Sequence, residues 1–150
     1  MSKIAQFGAY ASAFEKAYVS DDWSVVEPFF TEDATYEVLL DAPLGGTVEG
    51  RAAILEYFKD VLDRFDRRFE SRELELLEGP KEEGQSVWIR GRATYRAPGV
   101  PELVLDLEET AYFEGECICR LEDRYASEMK QQISNYLDEH GAKLGISVDD

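Results

Sequence analysis

The spacing of apolar residues changes once along this chain, near residue 69, and this change constrains the fold more than any other feature. Before it, apolar side chains recur at helical spacing over 4–19 and in a long segment that starts at Gly50. After it, apolar and polar residues alternate, with breaks at GPKEEG, APGVP and EGE. The alternating segments are 70–78, 85–96, 102–113 and 116–125. Four consecutive strands joined by short turns predict an antiparallel sheet.

The remaining segments complete an α+β arrangement. Asp21 and Asp22 can cap a short second helix that Pro28 ends, a strand is predicted over 34–40, and DAPLGGTVEG reads as a loop. Ser127 is expected to cap a last helix that stops at Gly141. We therefore expect one domain over 1–150, with a core at about 5–126, a C-terminal helix at about 127–140 and a short tail. Its helices should lie on one face of a curved antiparallel sheet.

Charge and composition exclude several functions. The formal net charge of -16 repels nucleic acid and anionic lipid, and no apolar run is long enough to span a bilayer. MSKIAQFGAY lacks the apolar stretch of a secretory signal, so a cytoplasmic location is expected. Cys117 and Cys119 are expected to be buried thiols, because their spacing suits neither a disulfide nor, with the single His140, a zinc site. We find no pattern for a metal or a cofactor.

Alternation within the strands predicts which side chains face the interior. Over 102–113 the apolar set is Leu103, Leu105, Leu107, Ala111 and Phe113, and Glu109 is the only charged residue among them. Over 116–125 the set is Cys117, Cys119, Leu121 and Tyr125, with Asp123 as its charged member. Burial among apolar groups would raise the pKa of either carboxyl group into the range of a general acid or base. The alternative is that each carboxylate simply bonds a buried Tyr or a backbone amide.

Several segments together resemble a known family. FFTEDATYEV at 29–38, the GG that follows, EGRAAILEYF and the final EGECICRLEDRY are similar to the SnoaL-like branch of the nuclear transport factor 2-like superfamily. The resemblance covers about residues 5–126. It implies a cystatin-like cone in which a curved sheet wraps around helices, an apolar pocket inside the cone, and usually a dimer.

The resemblance also implies where a dimer contact would lie, since the convex sheet face commonly meets its twin in this superfamily. The outward set of alternating charges and one aromatic comprises Trp88, Arg90, Arg92, Asp106, Glu108, Arg120 and Glu122. Val104, Tyr112 and Ile118 would add the apolar part of this contact. Cross-strand ion pairs can satisfy one another across a two-fold axis, although the same pattern suits a solvated outer face.

Relatives with known chemistry give only a partial match. Against the ketosteroid isomerases, the base position falls on Val38 and the helix-one Tyr position on Phe14, while the third functional group falls on Glu109. The limonene epoxide hydrolases use an Arg between two Asp; Glu109 and Asp123 are possible members here, but the sheet arginines have outward parity. A SnoaL-like cyclase needs only one acid or base in an apolar pocket.

Our leading hypothesis is therefore a homodimeric protein that binds a small apolar molecule. Glu109 and Asp123 would be its polar anchors, and its expected pocket lining is Phe14, Tyr18, Trp23, Tyr36, Val38, Tyr57 and Leu107. One alternative is a cofactor-free cyclase, isomerase or epoxide hydrolase-like enzyme that uses Glu109 or Asp123 as acid or base. Another is a module that binds a protein partner through an exposed apolar patch.

Overall fold

One mixed sheet and three α-helices form the part of the chain that the computed structural model describes, residues 2–40 and 45–146. The helices are α1 (Lys3–Ser20), α2 (Arg51–Arg64) and α3 (Ser127–Leu144). The strands are β1 (Phe30–Leu39), β2 (Gly46–Glu49), β3 (Ser71–Glu83), β4 (Ser86–Arg96), β5 (Leu103–Glu114) and β6 (Cys117–Arg124). The predicted α+β class and the four consecutive strands are confirmed.

The six strands lie in the order β2-β1-β6-β5-β4-β3, and every neighbouring pair is antiparallel except β1 with β6. The hairpins β4–β5 and β5–β6 lie at the predicted breaks APGVP and EGE. The first predicted break is wrong, because β3 runs through GPKEE to Glu83 and the turn lies at Gly84 and Gln85. The parallel pairing places β1 beside the last strand, so residues early and late in the chain meet on one curved inner face.

Two clusters of buried side chains fill the space under that face. In the first, the Phe58 ring of α2 packs edge-on against Phe14 of α1 at 5.1 Å and against Tyr36 of β1 at 5.2 Å. In the second, Ile133 and Tyr136 of α3 are buried with a separate group of apolar residues. That group includes Phe65, Phe69, Tyr95, Leu103 and Leu105. Helix α3 therefore covers the open end of the sheet with apolar side chains, which favours folding through the hydrophobic effect.

Several predicted element ends are wrong. The predicted short helix is a pair of 3-10 turns at Trp23–Val25 and Glu27–Phe29, and the Gly-rich segment continues into β2, although 41–44 lie outside the described residues. Helix α3 has Ala126 as its N-cap and runs past Gly141 to Gly145, whose φ of 71° ends it. No described helix is both long enough and apolar enough to span a membrane.

A bulge in β6 changes which of its side chains face inward. Tyr112 pairs with Arg120 and Phe113 pairs with Ile118, so Cys119 has no partner position on β5. The extra residue turns Ile118 into the core, where it is fully buried, and leaves both cysteines half-exposed. The expectations that Ile118 faces outward and that the two thiols are buried are therefore wrong.

We predict that Ile118→Ala lowers the free energy of unfolding by about 2–5 kcal/mol, because it leaves a cavity in a closely packed core. Cys119→Ala is the matched control, since its side chain lies at the bulge and should change this free energy by less than about 1 kcal/mol. Urea unfolding of both variants measures the difference. A larger loss for Cys119→Ala would show that the strand alternates without a bulge.

Candidate functional site

A cavity of about 330 Å³ lies between α1 and the inner face of the sheet. Tyr10 and Phe14 of α1 line one side of it, and residues of β3, β4 and β5 line the other. Leu74 and Leu76 also line it while remaining 51% and 55% exposed, so the cavity reaches the surface beside β3. Most of the remaining wall is aliphatic or aromatic, which gives an apolar chamber with few polar groups.

Two carboxyl groups, Glu109 of β5 and Asp123 of β6, line this cavity side by side. They occupy directly opposed positions in the β5–β6 register, where cross-strand side chains are in contact. The Tyr36 hydroxyl of β1 donates a hydrogen bond to Asp123 Oδ2. Asp123 is 7% exposed, and its other oxygen, Oδ1, accepts no hydrogen bond from a Tyr, a backbone amide or a cation in the described residues.

The proton needed by Asp123 Oδ1 can come from Glu109. Burial raises the pKa of Glu109 well above its ordinary value, and the neighbouring Asp123 charge raises it further. Burial also raises the pKa of Asp123, but hydrogen bonds from Glu109 and Tyr36 oppose that effect. Glu109 is therefore the protonated member that donates, and Asp123 is the ionised member that accepts. Two facing carboxyl groups that hold one proton avoid burying two negative charges.

Phenol groups surround this pair. Burial, followed by the nearby carboxylates, raises the pKa of Tyr10 and Tyr36 well above the ordinary value, so both keep their protons. Tyr125 follows β6, lines the same cavity and behaves in the same way. Tyr10 lies one helical turn before Phe14, on the apolar stripe of α1. Tyr10 falls within the predicted helical segment 4–19 but is not among the predicted pocket residues.

A second polar group, which was not predicted from the sequence, borders the same cavity. Arg72 of β3 forms an ion pair with Glu15 of α1 at 2.9 Å, and its Nε lies 3.7 Å from Asp66. Tyr95 of β4 donates to Asp66 at 3.3 Å. Burial raises the pKa of Asp66 to about 6, although Arg72 and Tyr95 oppose the shift. Arg72 has the parity of Leu74 and Leu76, and this was the available signal for its inward position.

The position of Arg72 corrects the expectation that every sheet arginine faces outward. Its side chain is 7% exposed and lines the cavity. It lies between Glu15 and Asp66, however, and not between Glu109 and Asp123. The arrangement that an epoxide hydrolase of the limonene type would require is therefore not formed around the carboxyl pair in the described residues.

Comparison with protein families gives a match over most of the chain. Residues 11–121 match the family model of the SnoaL-like domain. The chain belongs to the SnoaL-like family. A comparison with curated proteins gives no match.

Solved structures with nuclear transport factor 2-like folds resemble this SnoaL-like domain. Bal32a, from a soil-derived mobile gene cassette, has a TM-score of 0.68 and 16% identity, over 90% of this chain and 98% of that one. TerC, co-crystallised with polyporic acid, has a TM-score of 0.64 and 17% identity, over 86% and 95%. A protein of Catenulispora acidiphila with a ketosteroid isomerase-like fold, in complex with trimethylamine, has a TM-score of 0.59 and 20% identity, over 94% of this chain and 95% of that one. At these identities the likeness establishes the fold.

The seven expected pocket residues of the SnoaL-like domain separate into three groups. Phe14, Tyr36 and Leu107 line the larger cavity. Val38 and Tyr57 line a smaller one of about 130 Å³ under α2 and α3, which Phe14, Tyr36 and Asp123 also border. Tyr18 and Trp23 line neither cavity, so they are removed from the expected set.

Tyr18 and Trp23 have other contacts that explain their positions. The Arg72 guanidinium lies 4.2 Å from the Tyr18 ring centroid, a cation–π distance. Trp23 is buried against Phe14 at 5.3 Å and donates its indole N–H to Asp21. Helical spacing placed them on the correct face but did not show which part of that face meets the cavity.

The outer sheet face carries one of the predicted cross-strand ion pairs, Arg92 of β4 with Asp106 of β5, whereas the other arginines have different partners. Arg92 donates to both oxygens of Asp106 at 2.7 and 3.1 Å, and Arg120 pairs with Glu122 at 3.0 Å. Arg90 pairs with Glu78 of β3 at 3.0 Å, and not with Glu108, which instead accepts from the Trp88 indole at 3.3 Å. Each of these three arginines is therefore paired within one chain.

No group of three or more His, Cys, Asp or Glu side chains within 2–40 and 45–146 is placed to hold a metal ion. Cys117 and Cys119 are free thiols whose sulfurs lie 3.6 and 3.4 Å from backbone carbonyls. His140 lies in α3, where its ring packs 5.0 Å from Tyr136. These side chains lie outside the two cavities and belong to the packing of the SnoaL-like domain.

The pKa of Asp66 predicts a pH dependence of stability. The unfolded carboxyl loses its proton near its ordinary value of 3.8, whereas the folded one keeps it to about 6. The folded state binds more protons between these values, so the free energy of unfolding should fall as pH rises from about 4 to about 6. Asp66→Asn should flatten this dependence in urea unfolding, whereas Asp60→Asn, at an exposed carboxylate on α2, should not. Equal slopes in wild type and Asp66→Asn would contradict the assignment.

Proposed function

We propose that this SnoaL-like domain binds a small, mainly apolar molecule in the larger cavity, with Glu109 and Asp123 as its polar anchors. The observation that carries the proposal is an apolar chamber with both carboxyl groups in its wall. Its volume of about 330 Å³ is at the lower end of ligand pockets, which span roughly 300–1,000 Å³. An apolar lining with few convergent polar groups is typical of a small-molecule site.

Two of the similar proteins support this class of function. TerC was co-crystallised with polyporic acid, and the Catenulispora acidiphila protein is in complex with trimethylamine. The two molecules differ in charge and size. The support therefore extends to the binding of small molecules by this fold, while the identity of the ligand must come from the residues of this chain.

The carboxyl pair favours a second candidate, a cofactor-free enzyme that moves a proton on a carbonyl compound. Asp123 would remove a proton from the carbon next to the carbonyl, and Glu109 would give its own proton to the developing enolate oxygen. The pair then holds one proton as before, now on Asp123, and a transfer between the two facing carboxyls restores the starting state. Tyr10 and Tyr125 line the same cavity, and in this candidate mechanism their hydroxyls would donate hydrogen bonds to that oxygen.

We further propose a homodimer formed through the outer sheet face, in the cytoplasm. Trp88, Val104 and Tyr112 are half-buried there among paired charges, which gives an apolar centre with a polar surround. Paired charges lose less hydration free energy on burial than single charges do, so such a face can pack against the same face of a second subunit. Analytical ultracentrifugation of Trp88→Glu against wild type tests this, and a wild-type monomer would contradict it.

The binding proposal predicts that a small molecule accompanies the purified protein or can be added to it. Leu107→Trp should fill the cavity and abolish binding, while Thr110→Trp, on the opposite face of the same strand, should not. Mass spectrometry of denatured samples, and ligand-observed NMR with small neutral ketones and alcohols, measure this. No recovered molecule together with no bound probe would contradict the proposal.

The proton-transfer candidate predicts hydrogen–deuterium exchange at the carbon beside a ketone. Asp123→Asn should slow the exchange by about 10²–10⁴-fold, the usual contribution of a positioned base. Proton NMR in D₂O follows the exchange, with Thr110→Trp as the control. Exchange no faster with the wild-type protein than in buffer would leave ligand binding as the function.

A further inference from the structure

The ionised carboxyl pair has no positively charged neighbour in the described residues. Burial, Glu109, Tyr36 and the acidic Glu122 shift the pKa of Asp123. Burial and Asp123 shift the pKa of Glu109. None of these groups carries a positive charge. The pair therefore holds a negative charge inside an apolar chamber without a cation from the protein. Such a charge is costly to bury and normally has a counter-charge.

The two arginines that touch this cavity do not supply that counter-charge. Arg72 is flanked by two carboxylates, Glu15 at 2.9 Å and Asp66 at 3.7 Å, so its charge is already balanced. Arg92 directs its guanidinium outward, to both oxygens of Asp106. The net charge around the cavity is negative, since the ionised pair remains uncompensated.

Aromatic rings form much of the same wall. Tyr10, Phe14, Tyr36 and Tyr125 all line the cavity with the carboxyl pair. The first two rings meet edge to face, with centroids 6.3 Å apart. Aromatic rings attract cations through their quadrupoles, and substituted ammonium groups are bound in this way because they present a charge on an apolar surface. Metal ions prefer several oxygen ligands and would not use these rings.

We propose that the ligand of this cavity carries a substituted ammonium group, which supplies the missing positive charge beside Glu109 and Asp123. The aromatic wall is the second, independent sign of such a ligand, because its rings suit a positive charge carried on an apolar surface. The inference rests on the proposed function, since it names the ligand class for the same cavity. The overall charge of -16 would also raise the encounter rate with a cation.

Choline and its uncharged carbon analogue, 3,3-dimethylbutan-1-ol, test the inference because they share shape and differ in charge. Isothermal titration calorimetry of the full chain should show choline binding at least about tenfold more tightly, which is about 1.4 kcal/mol. Asp123→Asn should remove this preference. Asp60→Asn is the matched control and should retain it, because this variant removes an exposed carboxylate of α2 that lines neither cavity.

Three results would overturn the inference. If the alcohol binds as tightly as choline, the proposal that the ligand carries an ammonium group is wrong, while the proposal that the cavity binds a small molecule stands. If neither probe binds, the ligand class is wrong, and the proposed function is then judged by the recovered molecule and the neutral probes. If choline preference survives Asp123→Asn, the positive charge lies elsewhere. Should Asp123→Asn fail to fold, the wild-type preference for choline over the alcohol decides the inference.

Discussion

The site depends on one arrangement, two carboxyl groups that face each other in an apolar interior and raise each other's cost of ionisation. Glu109 and Asp123 meet because β5 and β6 are in the register that the bulge at Cys119 sets. Without that extra residue, Ile118 and Asp123 would point to opposite faces, since side chains alternate along a strand. The bulge allows both the core residue and the acid to face inward. Tyr36, delivered by the parallel strand β1, then fixes one oxygen of Asp123.

Electrostatics separates the interior into two different acidic sites. At Asp66, a guanidinium and a phenol oppose the effect of burial, so the pKa rises only to about 6. At Glu109, no cation of residues 2–40 and 45–146 opposes burial, and the pKa rises well above its ordinary value. The first site is complete within the protein, which suits a structural role. The second lacks a counter-charge and faces the cavity, and this difference directs the functional proposals to the carboxyl pair.

The sequence predicted the inner face of β5 because this strand has no inserted residue, so its side chains alternate regularly between the two faces. Leu107 and Glu109 therefore lie where alternation places them. Alternation fails wherever a residue is inserted, and nothing in CICRLED marks Cys119 as the unpaired position. The inward position of Arg72 was not predicted, because this residue lies at the start of a long edge strand whose inner and outer faces were not assigned. Tyr18 and Trp23 share the inward side of their segments, but only tertiary packing shows that Arg72 and Phe14 cover them.

Proton sharing between the two acids is the central claim, and it requires that the two carboxyls titrate as one unit. Carbon-detected NMR of the side-chain carboxyl carbons, with samples labelled at Glu and Asp, follows each group directly as pH changes. The account predicts that the Glu109 and Asp123 signals shift together in two steps, with one proton still held by the pair at neutral pH. Independent titration of both groups near the ordinary values of about 4 would contradict it.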